Sequence, residues 1–167
     1  MFAPSFSRHA SDVRERKDGR THMKIRKFGP FRAVGLIART SHADELDDET
    51  AIMSKMRIGF LERYLGGLIC NRLDRCEYFE VFTDYETDHL GEFTFMIGHR
   101  VWEICDVDDD MMAIEVPRRR YAVFKVDMDR DYPYYETELE IRHYFGAGSK
   151  YKRAYTTDLI ISYGLEG

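Results

Sequence analysis

The sequence predicts an α+β protein in which two similar βαββ units form an antiparallel sheet with two helices. Three observations predict this class. Some segments alternate apolar and polar residues as strands do, and one long segment repeats its apolar residues every four positions. After Met23, the order strand, helix, strand, strand then occurs twice along the chain. Units of this kind place their helices on one side of the sheet, which encloses a core between two layers.

Composition limits the classes of protein to consider. A chain of 167 residues fits one domain. Its net charge of −5 argues against a general phosphate-binding surface and direct nucleic-acid contact. No apolar run approaches the roughly 20 residues that span a bilayer, so no membrane contact is predicted. The cysteines Cys70, Cys76 and Cys105 form no CxxC pair, and we expect reduced thiols in a cytoplasmic protein.

The first 22 residues show little periodicity and no secretory apolar core. They predict a disordered leader over residues 1–22, followed by a domain over residues 23–167. Because Met23 opens the first readable strand, it is also a candidate for the true start of translation.

The first half of the pattern runs from residue 31 to residue 98. The segment "FRAVGLIART" (Phe31 to Thr40) predicts a strand, in which Gly35 allows close packing. A helix is predicted within Leu46 to Gly67, since Gly66 and Gly67 end it and apolar residues recur four apart. Its stripe comprises Ile52, Met56, Phe60 and Tyr64. A hairpin follows from Glu77 to Gly98 and turns at Asp88 to Gly91.

Aromatic residues occupy both faces of this hairpin. Strand alternation places Tyr78, Glu80 and Phe82 on one face, and Phe79 and Val81 on the other. A core against the helices needs one row of rings, so the second row suggests a half-open apolar groove, to which the only tryptophan, Trp102, also contributes. The alternative is that the rings complete the core or form an oligomer interface.

The second half repeats the pattern more loosely. The segment from Pro117 to Met128 resembles the first strand, Tyr134 to Phe145 predicts a shorter helix, and Tyr151 to Gly164 predicts one or two closing strands. The segment "DVDDDMMAIE" is an acidic loop and not a calcium loop, because Met111 and Pro117 stand where glycine and glutamate are required.

No motif in the sequence indicates catalysis or a bound metal. The six histidines show no zinc-binding spacing, and there is neither a nucleophile elbow nor a glycine-rich phosphate loop. No catalytic residue, metal site or cofactor is therefore predicted.

Three segments, "FRAVGLIART", "EYFEVFTDYETDHLGEFTFMIG" and "VPRRRYAVF", resemble the gyrase-inhibitor-like (GyrI-like) effector-binding domain, over about Met23 to Tyr163. That family includes the drug-sensing part of bacterial transcription regulators and many stand-alone proteins, and it is related to the haem-binding SOUL fold. The resemblance implies a groove between the helices that binds lipophilic, often cationic, aromatic compounds.

The resemblance also implies which residues line the groove. The family places an acid on the closing strand, and Asp158 in "TTDLIISY" is the candidate; in a second alignment Ile161 takes that position and the charge is lost. Tyr78, Tyr135, Trp102, Met53 and Phe82 would form the walls.

The function predicted from this resemblance is that of a stand-alone binding module for small lipophilic or cationic aromatic compounds, more than that of an enzyme. The alternatives are a hydrolase of reactive small molecules, which would use the same acid with a tyrosine, and a protein-binding inhibitor of DNA gyrase. A transcription regulator is a further partner that the family implies. No histidine has the context of an axial haem ligand.

Overall fold

The described residues have the predicted α+β architecture, with two helices and an antiparallel sheet that contains eight strands. The computed structural model describes residues 23–163 and the backbone of residues 2–6. The strands are β1 Phe2–Phe6, β2 Lys24–Phe28, β3 Phe31–Ser41, β4 Glu77–Thr83, β5 Glu92–Val101, β6 Met112–Val116, β7 Arg119–Val123 and β8 Arg153–Tyr163. The helices are α1 Met53–Glu62 and α2 Pro133–Tyr144. No helix in this described part is long and apolar enough to cross a bilayer.

All eight strands belong to one sheet, in the order β2-β7-β1-β8-β4-β5-β3-β6. The two central strands, β4 and β8, pair with each other. Beside β4 lie β5, β3 and β6, and beside β8 lie β1, β7 and β2. The two halves of the sheet therefore have the same arrangement. In one half α1 lies between β3 and β4 along the chain, and in the other α2 lies between β7 and β8.

The strand registers relate the halves by an approximate twofold axis. Ala33 of β3 and Tyr121 of β7 occupy matching positions in the two similar strands, and their partners are Arg100 of β5 and Ser5 of β1. With this match, Gly98 corresponds to Ala3, and their partners Phe79 and Leu159 correspond to each other. Since residue 79 corresponds to residue 159, the next residues also correspond, so Glu80 of β4 matches Ile160 of β8. Because Glu80 and Ile160 are themselves direct partners across β4 and β8, the axis passes between these two residues.

The N-terminal strand β1 completes the second unit. It lies between β7 and β8, where β5 lies in the first unit between β3 and β4. This placement differs from the disordered leader expected over residues 1–22, since residues 2–6 form a strand; residues 7–22 fall outside the described residues. β8 is the only strand that follows α2 in the described part, so the second unit takes its last strand from the start of the chain.

Both helices pack on the same face of the sheet. Phe60 of α1 lies in a core cluster with side chains of β3, β4 and β5, and Ile141 of α2 lies in a second cluster with Ala122 of β7. The predicted alternation is confirmed, because Phe93, Phe95 and Ile97 all point into the α1 cluster.

The opposite face of the sheet is also buried, because the sheet is rolled. Its cluster contains Phe79 and Val81 of β4 and Tyr121 of β7, all fully buried. Phe28, on the edge strand β2, contacts the rings of Phe31 and Phe79, so the two ends of the sheet approach each other. The two rows of rings on the hairpin therefore serve two cores.

Two segments differ from the sequence-based expectation. α1 begins at Met53 instead of near Leu46, and the preceding residues form a short 3-10 turn over Asp44–Leu46. The carboxylate of Glu45 accepts the backbone N–H groups of Ile52 and Met53 at 3.1 Å and so caps the helix from a distance. The end of the segment expected to be an acidic loop forms strand β6, because it pairs with the free side of β3.

The expectation of reduced cysteines is wrong for two of the three. Cys70 and Cys105 form a disulfide with a Cα–Cα distance of 6.6 Å. It joins the segment after α1 to the loop after β5, whereas Cys76 remains a thiol. Cys70 and Cys105 are 35 residues apart and belong to no recognisable cysteine motif, so only the folded structure shows that they pair.

Candidate functional site

We call the region between α1 and α2, over the centre of the sheet, the cleft. Side chains fill it, because the strand residues beneath it, such as Glu80, Asp158 and Ile160, are at most 7% exposed. α1 covers β5, where Phe60 contacts the ring of His99, and α2 covers β7. These two strands are four strand spacings apart, which is about 19 Å along the sheet. Helices in direct contact lie about 8–10 Å apart. Because the strands that the helices cover are farther apart than that, the helices do not pack against each other, and only side chains fill the space between them.

Glu80 and Ile160 form the middle of the cleft floor, at the twofold axis. The neighbouring floor residues on the same face are Tyr78 and Phe82 of β4 and Asp158 and Ser162 of β8. Each helix supplies a residue one turn before a buried one: Arg57 precedes the buried Phe60 of α1 by three positions, and Tyr134 precedes the buried Thr137 of α2 by three.

The carboxylate of Glu80 is held by Arg57 in a two-pronged ion pair. Arg57 Nε donates to Oε1 at 2.8 Å, and Nη2 donates to Oε2 at 2.7 Å. The Glu80 side chain is 7% exposed and that of Arg57 33% exposed. Burial by itself lowers the pKa of Arg57, but the hydrogen bond and charge of Glu80 outweigh it, and the pKa is raised. The charges of Glu45 and Tyr134 raise the pKa of Arg57 further.

Asp158 is fully buried near one end of the floor. The Tyr85 hydroxyl donates to its Oδ2 at 2.7 Å, and Arg153 Nη2 donates to the same oxygen at 2.7 Å. The guanidinium of Arg153 also lies over the Tyr155 ring, 5.0 Å from its centre. Asp158 is thus enclosed and neutralised by neighbours of its own chain, and it is not a carboxylate at the mouth of a hollow.

The pair of Tyr85 and Asp158 is poorly suited to proton transfer. Burial, followed by the charge of Asp158, raises the pKa of the Tyr85 hydroxyl far above its ordinary value. A general acid or base works best with a pKa near the working pH. Tyr85 is therefore a fixed hydrogen-bond donor, and this geometry does not favour the hydrolase alternative.

A third ion pair of the same kind lies on the other face of the sheet. Arg100 pairs with the carboxylate of Glu77, and its guanidinium lies 4.9 Å from the ring centre of Phe79 and 5.4 Å from that of Phe28. The Tyr163 hydroxyl donates to Glu77 Oε1 at 3.1 Å. Near the centre of the sheet, the described carboxylates Glu77, Glu80 and Asp158 each have an arginine partner whose guanidinium lies over an aromatic ring.

The structure brings four of the six predicted site residues to the cleft. Tyr78, Phe82 and Asp158 lie on its floor face, and Met53, the first residue of α1, packs against the α1 cluster. The other two lie elsewhere.

Tyr135 and Trp102 point away from the cleft. Tyr135 is 66% exposed, because helical geometry places it on the side of α2 opposite the buried Thr137 and Ile141. Trp102 is 59% exposed and follows Val101, the last residue of β5, so it lies beyond the strand that pairs with the floor residues of β4.

Sequence reasoning missed the arginines. Arg57 directly follows Met56 of the apolar stripe, and a charge at such a position signals a buried partner. Arg153 lies in β8, five residues before Asp158 in a strand otherwise rich in apolar residues. The sequence does not separate Tyr134 from its neighbour Tyr135, because the imperfect apolar spacing of α2 does not define which face of the helix is buried. Among the described residues, no group of His, Cys, Asp and Glu could hold a metal ion.

Comparison with known proteins identifies similar structures only. No protein-family model matches the chain, and no curated protein does. An integron cassette protein from the mobile metagenome of Vibrio cholerae has a TM-score of 0.67 at 24% identity, over 85% of this chain and 89% of that one. The protein SAV2435, in a structure bound to tetraphenylphosphonium, has a TM-score of 0.57 at 13% identity, over 85% of this chain and 93% of that one.

A third structure, of a bacterial protein from Staphylococcus aureus MU50 described as a transcription regulation protein, has a TM-score of 0.55 at 12% identity. The match covers 86% of this chain and 99% of that one. At these identities, the similarity establishes a shared fold.

Proposed function

We propose that this protein binds small lipophilic aromatic cations in the cleft between α1 and α2. One observation carries the proposal. Glu80 is a buried carboxylate on the twofold axis of the sheet, it faces the space between the helices, and a guanidinium that reaches over from α1 partners it. A carboxylate in such a place costs several kcal/mol unless a positive group accompanies it.

Aromatic side chains around Glu80 favour a ligand that is both cationic and apolar. Phe95 lies beside the guanidinium of Arg57, 5.3 Å from its carbon, and Tyr78 is the neighbouring floor residue on β4. Cation–π attraction contributes roughly 0.5–2 kcal/mol for each ring. The similarity in fold to SAV2435, whose structure holds tetraphenylphosphonium, supports the same class of ligand.

Glu80, and not Asp158, is the proposed counter-charge. Asp158 already accepts hydrogen bonds from Tyr85 and Arg153 and is completely covered. Glu80 depends on one side chain that is itself a third exposed. A ligand therefore reaches Glu80 by displacing one flexible group.

Isothermal titration calorimetry with tetraphenylphosphonium tests the proposal. We expect micromolar binding that Glu80→Gln weakens more than fivefold and that Asp158→Asn affects less. The matched control is Glu115→Gln, a glutamate in an exposed pair with Arg32 at the edge of the sheet. Loss of binding in the control as well, or unchanged binding in Glu80→Gln, would contradict the assignment of Glu80, and no binding of any hydrophobic cation would contradict the function.

A further inference from the structure

Arg57 already fills the position that a bound aromatic cation would take. Its two N–H groups meet the two oxygens of Glu80 one to one, at 2.8 and 2.7 Å, and its guanidinium lies over the Phe95 ring. A planar cation, a buried carboxylate and a ring are thus assembled by the protein from its own side chains.

We propose that Arg57 is an internal occupant of the cleft and that aryl guanidines and aryl amidines displace it, so the site selects planar cations with two parallel N–H donors. This inference rests on the proposed function and narrows its ligand class. It distinguishes such cations from quaternary ammonium and phosphonium ions, which carry the same charge without any N–H donor.

The hydrogen-bonding needs of Glu80 are the reason for this selectivity. A carboxylate that is 7% exposed has little access to water, so its oxygens depend on protein or ligand donors. A guanidine or amidine replaces both bonds of Arg57 with the same two-pronged geometry, and bonds of this kind between ions are stronger than neutral ones. A quaternary cation supplies charge alone and leaves both oxygens without a donor.

Among the three arginines paired with carboxylates near the centre of the sheet, Arg57 is the easiest to displace. Its side chain is 33% exposed, compared with 24% for Arg100 and 10% for Arg153. Arg100 is also surrounded by rings on the other face, and the oxygen that Arg153 binds is shared with Tyr85.

The ligand class is tested with three naphthalene compounds on the wild-type protein. Calorimetry compares 2-naphthamidine, a naphthylmethyl trimethylammonium ion and neutral 2-naphthamide. We expect the amidine to bind at least tenfold more tightly than the quaternary ion, and the amide to bind most weakly. Glu80→Gln should remove the advantage of the amidine, while Glu115→Gln should keep it.

The outcomes separate this inference from the proposed function. Equal or tighter binding of the quaternary ion by the wild-type protein would overturn the selectivity and leave cation binding intact. Binding of none of the three compounds would overturn both.

The role of Arg57 as an occupant is tested by removing it. Arg57→Ala should bind the quaternary ion at least fivefold more tightly, because the competitor is gone, while Arg32→Ala should bind as the wild type does. Methylguanidine should raise the Tm of Arg57→Ala and not that of the wild type, a readout that applies even if the variant is less stable. Weaker binding by Arg57→Ala, or no rescue by methylguanidine, would show that Arg57 holds the ligand or the fold and does not compete.

Discussion

Glu80 and Ile160 are direct partners across β4 and β8, and the approximate twofold axis passes between them. The two halves of the sheet therefore offer different groups at the same point, a carboxylate from one and an apolar side chain from the other. A ligand on this axis meets charge on one side and hydrocarbon on the other, as an aromatic cation requires.

The stability of the Arg57–Glu80 pair should depend on both partners being present. Arg57→Met leaves Glu80 buried without its donors, and we expect the free energy of unfolding to fall by about 2–3 kcal/mol. Adding Glu80→Leu removes the stranded carboxylate, so the double variant should recover most of this loss. Urea unfolding measures all three proteins. A double variant less stable than Arg57→Met would show that the pair is worth more than an apolar replacement.

Deleting residues 1–6 should destabilise the protein, because β1 is an interior strand with neighbours on both sides. Loss of its ladder hydrogen bonds, at roughly 0.5–1.5 kcal/mol each, should remove at least about 3 kcal/mol. For a protein of this size that corresponds to a fall in Tm of about 6–12 °C. Thermal unfolding followed by circular dichroism checks this, with deletion of residues 164–167 as the control. An unchanged Tm would mean that β1 adds nothing to the sheet.

The disulfide should be detectable by alkylation. Without reductant, iodoacetamide should modify Cys76 in unfolded protein and leave Cys70 and Cys105 unmodified. After reduction all three should react, which mass spectrometry counts directly. Closing a 35-residue loop stabilises a folded chain by about 3–4 kcal/mol, so Cys70→Ser should lower the Tm only under non-reducing conditions. Three reactive thiols without reductant would contradict the pairing.

His99 should make the protein less stable in mild acid. Burial lowers its pKa below 6.5; Nδ1 donates to the Glu77 carbonyl at 2.7 Å, and Gly66 lies against Nε2, where a second proton would sit. The unfolded chain takes up a proton near pH 6.5, whereas the folded chain does so only at lower pH. The stability due to neutral His99 is therefore complete above pH 6.5 and declines as the pH falls below it.

A proton NMR titration of the His99 ring measures this pKa. A His99 resonance that titrates at or above pH 6.5 would contradict the prediction.

Much of the fold was predictable because it depends on local patterns. The alternation in β4 and β5 indicated which rings face the helices, and Phe93 and Phe95 lie where that pattern predicts. Helix α2 was predicted to within one residue at each end. β1 was not predictable, since a five-residue strand containing a proline and a serine carries no period of its own and forms only where β7 and β8 leave a space between them.

The candidate site was less predictable, because it depends on pairs distant in sequence. Arg57 and Glu80 are 23 residues apart, and Tyr85 and Asp158 are 73 apart. The sequence shows both Glu80 and Asp158 but not that each is paired with an arginine. The resemblance to GyrI-like domains places the acid on the closing strand and so points to Asp158, which the structure buries completely.

The position of β1 in the sheet determines when the second half of the sheet can form. β8 ends close to where β1 begins, since Ile160, three residues before the end of β8, pairs with Phe2. A short hairpin turn could join the end of β8 to the start of β1. If β1 followed β8 in the sequence, the strands β7, β8 and β1 of the second unit would be consecutive, as β3, β4 and β5 are in the first. In the present order, β1 docks between β7 and β8, which lie far later in the sequence, so the second half closes only after β8 has been synthesised.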